Sequence, residues 1–227
     1  MRALFIITSS DQYFWLSEVT HPYWHLAERG VEIDFASPKG GPVKFNPWSD
    51  PFASDSWEAD DLVSKGFLSN KALVAKLQTT QRLADVDAGL YDAVHVAGGA
   101  GAAVDLYPNE DIARIFEHMF TSGKPVGAIC HGSIALGNTP DRVRGRRVTS
   151  MTREEDAQLE GHFGKDFIPN WPQVVLEEAG ATYIKTEPFT VRVVVDGKLV
   201  TGQNNQSASE YSLQLHHAMT ESPVVFA

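Results

Sequence analysis

The stretch PVGAICHGSIAL, residues 125–136, decides the fold. Pro125 to Ile129 are small or apolar and predict a buried strand, Cys130 and His131 interrupt the run, and Gly132 and Ser133 keep the turn small before a helix begins. A side chain on a sharp strand-to-helix turn is exposed and has backbone N–H groups nearby. It also gains thiolate stability from the helix N-terminus. The plainer explanation is burial, because free cysteine is among the most buried residue types and AIC continues an apolar strand. Position favours the chemical explanation, since ligands of an open parallel sheet gather outside the carboxyl ends of its strands. His131 can equally be an ordinary first residue of the helix, and adjacency alone does not bring its ring to the thiol.

The flanking sequence supplies the rest of such a sheet. Ala3–Thr8 predicts a buried strand, and Thr20 can cap a helix that holds Pro22 in its first turn and ends at Gly30. VEIDFASP (31–38) alternates as a second strand, whereas KGGPVKFNPWSDPFASDS (39–56) is turn-rich and irregular. A helical segment around Ser69–Gln78 precedes YDAVHVAGGAGAAVDL (91–106), a strand running into a glycine turn, and a helix over Asn109–Ser122 follows. Downstream come a short strand at Arg147–Ser150, a helix from Thr152 and another around Pro172–Ala179. A strand at Ala181–Ile184, a hairpin in TVRVVVDGKLVTG (190–202) and a closing helix over Ser207–Met219 complete the pattern. Strands alternating with helices predict an α/β fold, a mostly parallel sheet covered on both faces, and 227 residues suit one domain over 1–227.

Composition narrows the function. A formal net charge of −10 opposes nucleic acid and anionic membranes as partners, leaving small molecules or proteins. One cysteine excludes an intramolecular disulfide and a cysteine-cluster metal site, and leaves the thiol free to react. Only five apolar residues follow Met1 and Arg2, too few for a signal peptide or a membrane span, which points to the cytoplasm. Gly99 and Gly101 begin a dinucleotide fingerprint, but Val104 replaces its last glycine and the turn is not the first βα turn, so no cofactor is expected. His21 and His25 lie one helical turn apart without the acid of an H-E-x-x-H pattern, and no metal is expected there.

AICHGSIAL (128–136) resembles the elbow of the ThiJ/PfpI superfamily, a branch of the class I glutamine amidotransferase-like fold, whose usual form is A-[IV]-C-H-G-P-x-x-L. SEVTHPYWHLAERGVEIDFASPKGG (17–41), YDAVHVAGGAGAAVDL (91–106), VTSMTREED (148–156) and VVVDGKLVTGQNNQSAS (193–209) agree in order and spacing. SPKGG (37–41) and TGQN (201–204) are most similar to the branch of glyoxalase III enzymes and heat-shock holding chaperones. The resemblance implies a flavodoxin-like sheet with a nucleophile elbow at Cys130.

It also implies a glutamate, Glu18, near the sulfur, His131 as general base or acid, and Gly98 and Gly99 as backbone donors for an oxyanion. Asp156 is the acid it favours for orienting His131, with Glu155 the alternative; Thr152 and Glu155 also form a capping box, so Glu155 is expected to serve its own helix. Two departures stand out: Ala100 where the branch usually has His, and Ser133 where it has Pro. Trp15 and Trp24, flanking Glu18, are expected to wall the site. The implied activity is cofactor-free conversion of 2-oxoaldehydes to 2-hydroxy acids by a homodimer. Amide or isonitrile hydrolysis, and a non-catalytic redox sensor or holding chaperone, are the alternatives.

Overall fold

A computed structural model describes residues 1–220. In chain order its elements are β1 (Arg2–Ile6), α1 (Ser17–Ala27), β2 (Glu32–Ser37), α2 (Leu62–Ser69), α3 (Lys71–Lys76), β3 (Gln81–Arg82), β4 (Ala93–Val96), α4 (Ala102–Asp105) and α5 (Glu110–Thr121). There follow β5 (Val126–Ile129), α6 (Pro140–Val143), β6 (Arg147–Val148), α7 (Arg153–Phe163), α8 (Pro172–Glu178), β7 (Thr182–Tyr183), β8 (Val193–Asp196), β9 (Leu199–Gly202) and α9 (Ala208–Thr220).

Seven strands form one sheet in the order β3-β2-β1-β4-β5-β9-β8, and β6 and β7 form a small second sheet. All neighbours in the large sheet are parallel except β8, which returns on β9 through the predicted hairpin. From β1 the chain builds outward through β2 and β3, then crosses back to add β4 and β5. The reversal places a crevice at the carboxyl ends of β1 and β4, where a flavodoxin-like sheet binds its ligands.

Burial on both faces explains why the central strands read as continuous apolar runs rather than alternations. Ala3 and Phe5 of β1 enter a core with Val19, Tyr23 and Leu26 of α1 and Tyr211 and Leu215 of α9. Their neighbours Leu4 and Ile6 enter the opposite core with Ile112, Ile115, Phe116 and Met119 of α5 and Leu176 of α8. The α5 residues repeat at helical spacing, and the Asn109 side chain accepts the Ile112 N–H at 3.1 Å as the cap.

Two expectations are corrected. Helix α1 begins at Ser17, so Thr20 is interior, its hydroxyl 2.7 Å from that of Ser64, and Pro22 lies well inside the helix. The segment after β5 is a tight 3₁₀ run over Cys130–Asn138 rather than an α-helix. Its glycines are pressed against neighbours: a Cβ on Gly132 would lie 2.6 Å from the Val96 carbonyl oxygen, and one on Gly137 would lie 2.4 Å from the Val175 side chain. Strand β3 was invisible in the sequence because both of its residues are polar and exposed. Among the described residues no helix is long and apolar enough to cross a membrane.

Candidate active site

The carboxyl ends of β1, β4 and β5 bring Glu18, Gly98 and Cys130 together. Cys130 adopts φ +57°, a left-handed conformation that costs a residue with a Cβ some strain and turns the side chain out of the strand line. A Cβ on Gly98 would lie 2.5 Å from Glu18 Oε2 and 2.9 Å from Cys130 Cβ, so only glycine lets the acid and the thiol approach across this strand end.

Glu18 is completely buried. Its Oε2 accepts the Gly98 N–H at 2.7 Å, and its Oε1 finds no N–H or O–H donor among the described residues. The carboxyl forms a hydrogen-bonded pair with the Cys130 thiol. Burial pushes Glu18 up to about 8, against the opposing pull of the Cys130 and Gly98 hydrogen bonds, and the Glu58 charge adds to the rise. The carboxyl is therefore protonated at neutral pH.

Burial also pushes the Cys130 thiol up, followed by the charge that Glu18 carries only when ionised; the His131 backbone N–H works in the other direction. The thiol expected from an exposed elbow to be acidic is thus a buried one that must hand its proton to a neighbour. Gly98 differs from expectation as well. Its N–H is occupied by Glu18 and is not available to an oxyanion, whereas Gly99 lines the pocket.

His131 Nδ1 stands 3.5 Å from the Cys130 sulfur and Nε2 stands 2.8 Å from Asp156 Oδ1. Both side chains are buried, and with Nε2–H donating to the carboxylate, the Nδ1 lone pair faces the sulfur. The alternative acid, Glu155, lies one residue away and does different work. Its Oε2 accepts the N–H of Thr152 at 2.8 Å and the hydroxyl at 2.9 Å, completing the predicted capping box. Its Oε1 accepts the Phe189 N–H at 2.7 Å and the amides of Asn204 at 2.8 Å and Gln203 at 3.3 Å.

Removing such a hub leaves buried donors unmet, so Glu155→Ala is expected to cost roughly 3–5 kcal/mol and about 10 °C in melting temperature. Urea and thermal denaturation measure it. A loss of about 1 kcal/mol, the size of a simple helix cap, would show that the wider network contributes nothing.

A second buried network lies beneath Glu18. Pro22 has no N–H to give the carbonyl four residues back, which leaves the Glu18 carbonyl without its helical donor. His95, from β4, fills that place: its Nε2 stands 2.9 Å from the Glu18 carbonyl oxygen, and its Nδ1 stands 2.7 Å from the Tyr211 hydroxyl. Nε2–H must donate to the carbonyl, so Nδ1 accepts from Tyr211. Burial lowers His95 to about 3, and the ring is neutral throughout the working range. Gly127 makes room, since a Cβ there would fall 2.2 Å from the Tyr211 oxygen. Sequence reasoning missed this role for His95. The available signals were a histidine in an apolar strand and a proline four residues after the acid.

The pocket above these groups is lined by Cys130, His131, Glu18, Met151 and Ala100, with aromatic walls from Trp15, Trp57, Phe163 and Phe167. Trp15 walls the site as expected, whereas Trp24 points away and is 45% exposed on the outer side of α1. His21 and His25 do not share a site: His21 pairs with Asp61 at 3.0 Å and Ser209 at 2.8 Å, while His25 lies 3.7 Å from Glu28.

Comparison with known proteins agrees with this architecture. The model of the DJ-1/PfpI family matches residues 1–218. "Glyoxalase 3" of Candida albicans is 29% identical over 228 residues, covering 92% of this chain and 94% of that protein. A "glutathione-independent glyoxalase" of Schizosaccharomyces pombe is 29% identical over 204 residues, covering 85% of this chain and 82% of its own. Among solved structures, the "Rapid Encystment Protein" of Francisella tularensis superposes with a TM-score of 0.86 at 28% identity, covering 96% of this chain and 98% of that one.

Proposed function

The chain belongs to the DJ-1/PfpI family, and from that premise we propose that it is a cysteine-dependent enzyme that converts 2-oxoaldehydes to 2-hydroxy acids without a cofactor. The observation that carries the proposal is the contact of one sulfur, that of Cys130, with both a protonated Glu18 and the Nδ1 of His131 at 3.5 Å. Relatives named as glyoxalases support the same substrate class.

His131 takes the thiol proton, and the sulfur attacks the aldehyde carbon, C1, of R–CO–CHO. The new alkoxide recovers a proton from His131, giving a hemithioacetal. Neutral His131 then removes the hydrogen on C1 while Glu18 protonates the C2 oxygen, forming an enediol. Collapse returns the C1 hydroxyl proton to Glu18 and delivers the His131 proton to C2. The product is a thioester of a 2-hydroxy acid. Water cleaves it to R–CHOH–COOH and restores the thiol, so atoms and electrons balance with no external oxidant. Asp156 acts through His131 by holding its proton on Nε2.

The test is incubation of the purified protein with methylglyoxal in the absence of glutathione, following lactate formation beside an amide and an isonitrile. Turnover of either of the latter with none of methylglyoxal would replace this proposal. Asp156→Asn is expected to lower kcat about 10²-fold with KM little changed, because the ring loses its tautomer rather than the pocket its shape. A parallel rise in KM would assign Asp156 to substrate binding instead.

A further inference from the structure

The pocket mouth is an aromatic rim assembled from two segments distant in sequence. The first is the irregular stretch after β2. Asn46 Oδ1 accepts the Trp48 N–H at 2.9 Å, Ser49 Oγ donates to the Asn46 carbonyl at 2.7 Å and accepts the Leu16 N–H at 3.1 Å, and the Trp57 N–H donates to the Trp48 carbonyl at 2.8 Å. The second is the last turn of α7 and the residues beyond it. Trp48 and Trp57 stack with centroids 5.8 Å apart and planes 20° apart, and Phe163 packs on Trp48 at 4.6 Å and on Phe167 at 4.7 Å. Trp15 joins Trp57 at 5.9 Å. Trp57 is nevertheless 52% exposed, although its backbone N–H is bonded to Trp48 and its ring stacks on that of Trp48. A large apolar ring stacked on its neighbours and half in water at the pocket that holds a reactive thiol is a surface shaped for a ligand.

We propose that this rim selects 2-oxoaldehydes whose second substituent is an aryl ring, an inference that rests on the proposed function. A substrate held at Cys130 through C1 has its remaining substituent among Trp15, Trp57, Phe163 and Phe167, because these rings wall the same pocket. A methyl group leaves their faces wet. A planar ring covers them and adds the geometric preference of aromatic pairs to the area buried. Ala100, small and lining the pocket, leaves room at that end. Charge favours a neutral aldehyde over an anionic 2-oxo acid. Glu58, part-buried and bonded to Ser17 at 3.0 Å and Asn205 at 2.7 Å, is a second carboxyl close enough to act on Glu18.

The test compares kcat/KM for methylglyoxal, cyclohexylglyoxal and phenylglyoxal in the wild type, Trp57→Ala and Phe163→Ala. Alongside it, calorimetry measures binding of lactate and mandelate to the Cys130→Ser protein with and without Trp57→Ala. Phenylglyoxal is expected to exceed methylglyoxal by ~10-fold or more and cyclohexylglyoxal by ~3-fold, with the advantage over methylglyoxal falling ~10-fold through KM in Trp57→Ala. Mandelate is expected to bind ~10-fold more tightly than lactate until Trp57 is removed. Equal handling of the phenyl and cyclohexyl substrates, or a phenyl-to-methyl ratio unmoved by both variants, overturns the aryl rim and leaves the carbonyl activity standing. Mandelate preference that depends on Trp57, without turnover of any 2-oxoaldehyde, supports the rim while removing the proposed reaction.

Discussion

Glu18→Gln is expected to abolish turnover, by at least ~10³-fold in kcat, and to make the folded protein more stable at alkaline pH. Glutamine keeps the shape of a protonated carboxyl, accepts the Gly98 N–H and donates to the sulfur, but it cannot release a proton. The stability effect follows from linkage. The folded-state value of Glu18, about 8, lies above the ordinary 4.5, so the stability due to its protonated form is fully present below about 4.5 and is lost as pH rises through about 8. Over that window the wild type should lose roughly 5 kcal/mol from this group, an order-of-magnitude figure, whereas the glutamine variant loses none of it. Urea denaturation of both proteins at pH 5 and pH 9 measures the difference. Parallel pH dependences would mean that Glu18 is not the group that titrates, and retained turnover would remove it from the mechanism.

Cys130→Ser is expected to lower kcat by ~10⁴-fold or more while leaving the melting temperature within a few degrees of the wild type. Serine fits the same buried site at φ +57°, and the strain of that conformation is common to both residues. What changes is the chemistry. An alkoxide is far harder to form than a thiolate, and the His131 ring at 3.5 Å, sufficient for a thiol, is a poor base for an alcohol. A variant that folds and still converts methylglyoxal would show that the sulfur is a bystander. Cys130→Val gives the contrasting outcome, since a branched Cβ at positive φ destabilises the elbow itself.

Features set by local spacing were legible in the sequence. The apolar run into Cys130, the i, i+3, i+4, i+7 face of α5 and the Thr152–Glu155 capping box depend on neighbours in the chain, and each has a period or a motif. The features that arise from long-range contact were not. Thr20 has the chemistry of a cap but is turned inward to Ser64, and Gly98 has the chemistry of an oxyanion donor but is engaged by the Glu18 carboxyl from another element. Glu155 carries a cap motif that gives no hint of the bonds from Phe189, Gln203 and Asn204. Trp48, Trp57 and Phe167 sit in irregular segments and Phe163 at the last position of α7, so nothing local indicates that they meet.

The hydrogen bond from His95 to the Glu18 carbonyl makes two distant positions into one heritable character. Because Pro22 withholds its donor, the acid is anchored from the sheet, and fraying of the first turn of α1 does not carry it away from the sulfur. An ancestor that acquired the proline before the histidine would have carried an unmet carbonyl under its reactive acid, and one that lost the histidine first would carry the same defect. Replacement of residue 22 by a residue that restores the N–H frees residue 95 to change. The Glu18 carbonyl thus stays satisfied when position 22 changes while histidine stands at 95, and loses its partner when position 95 changes while proline stands at 22.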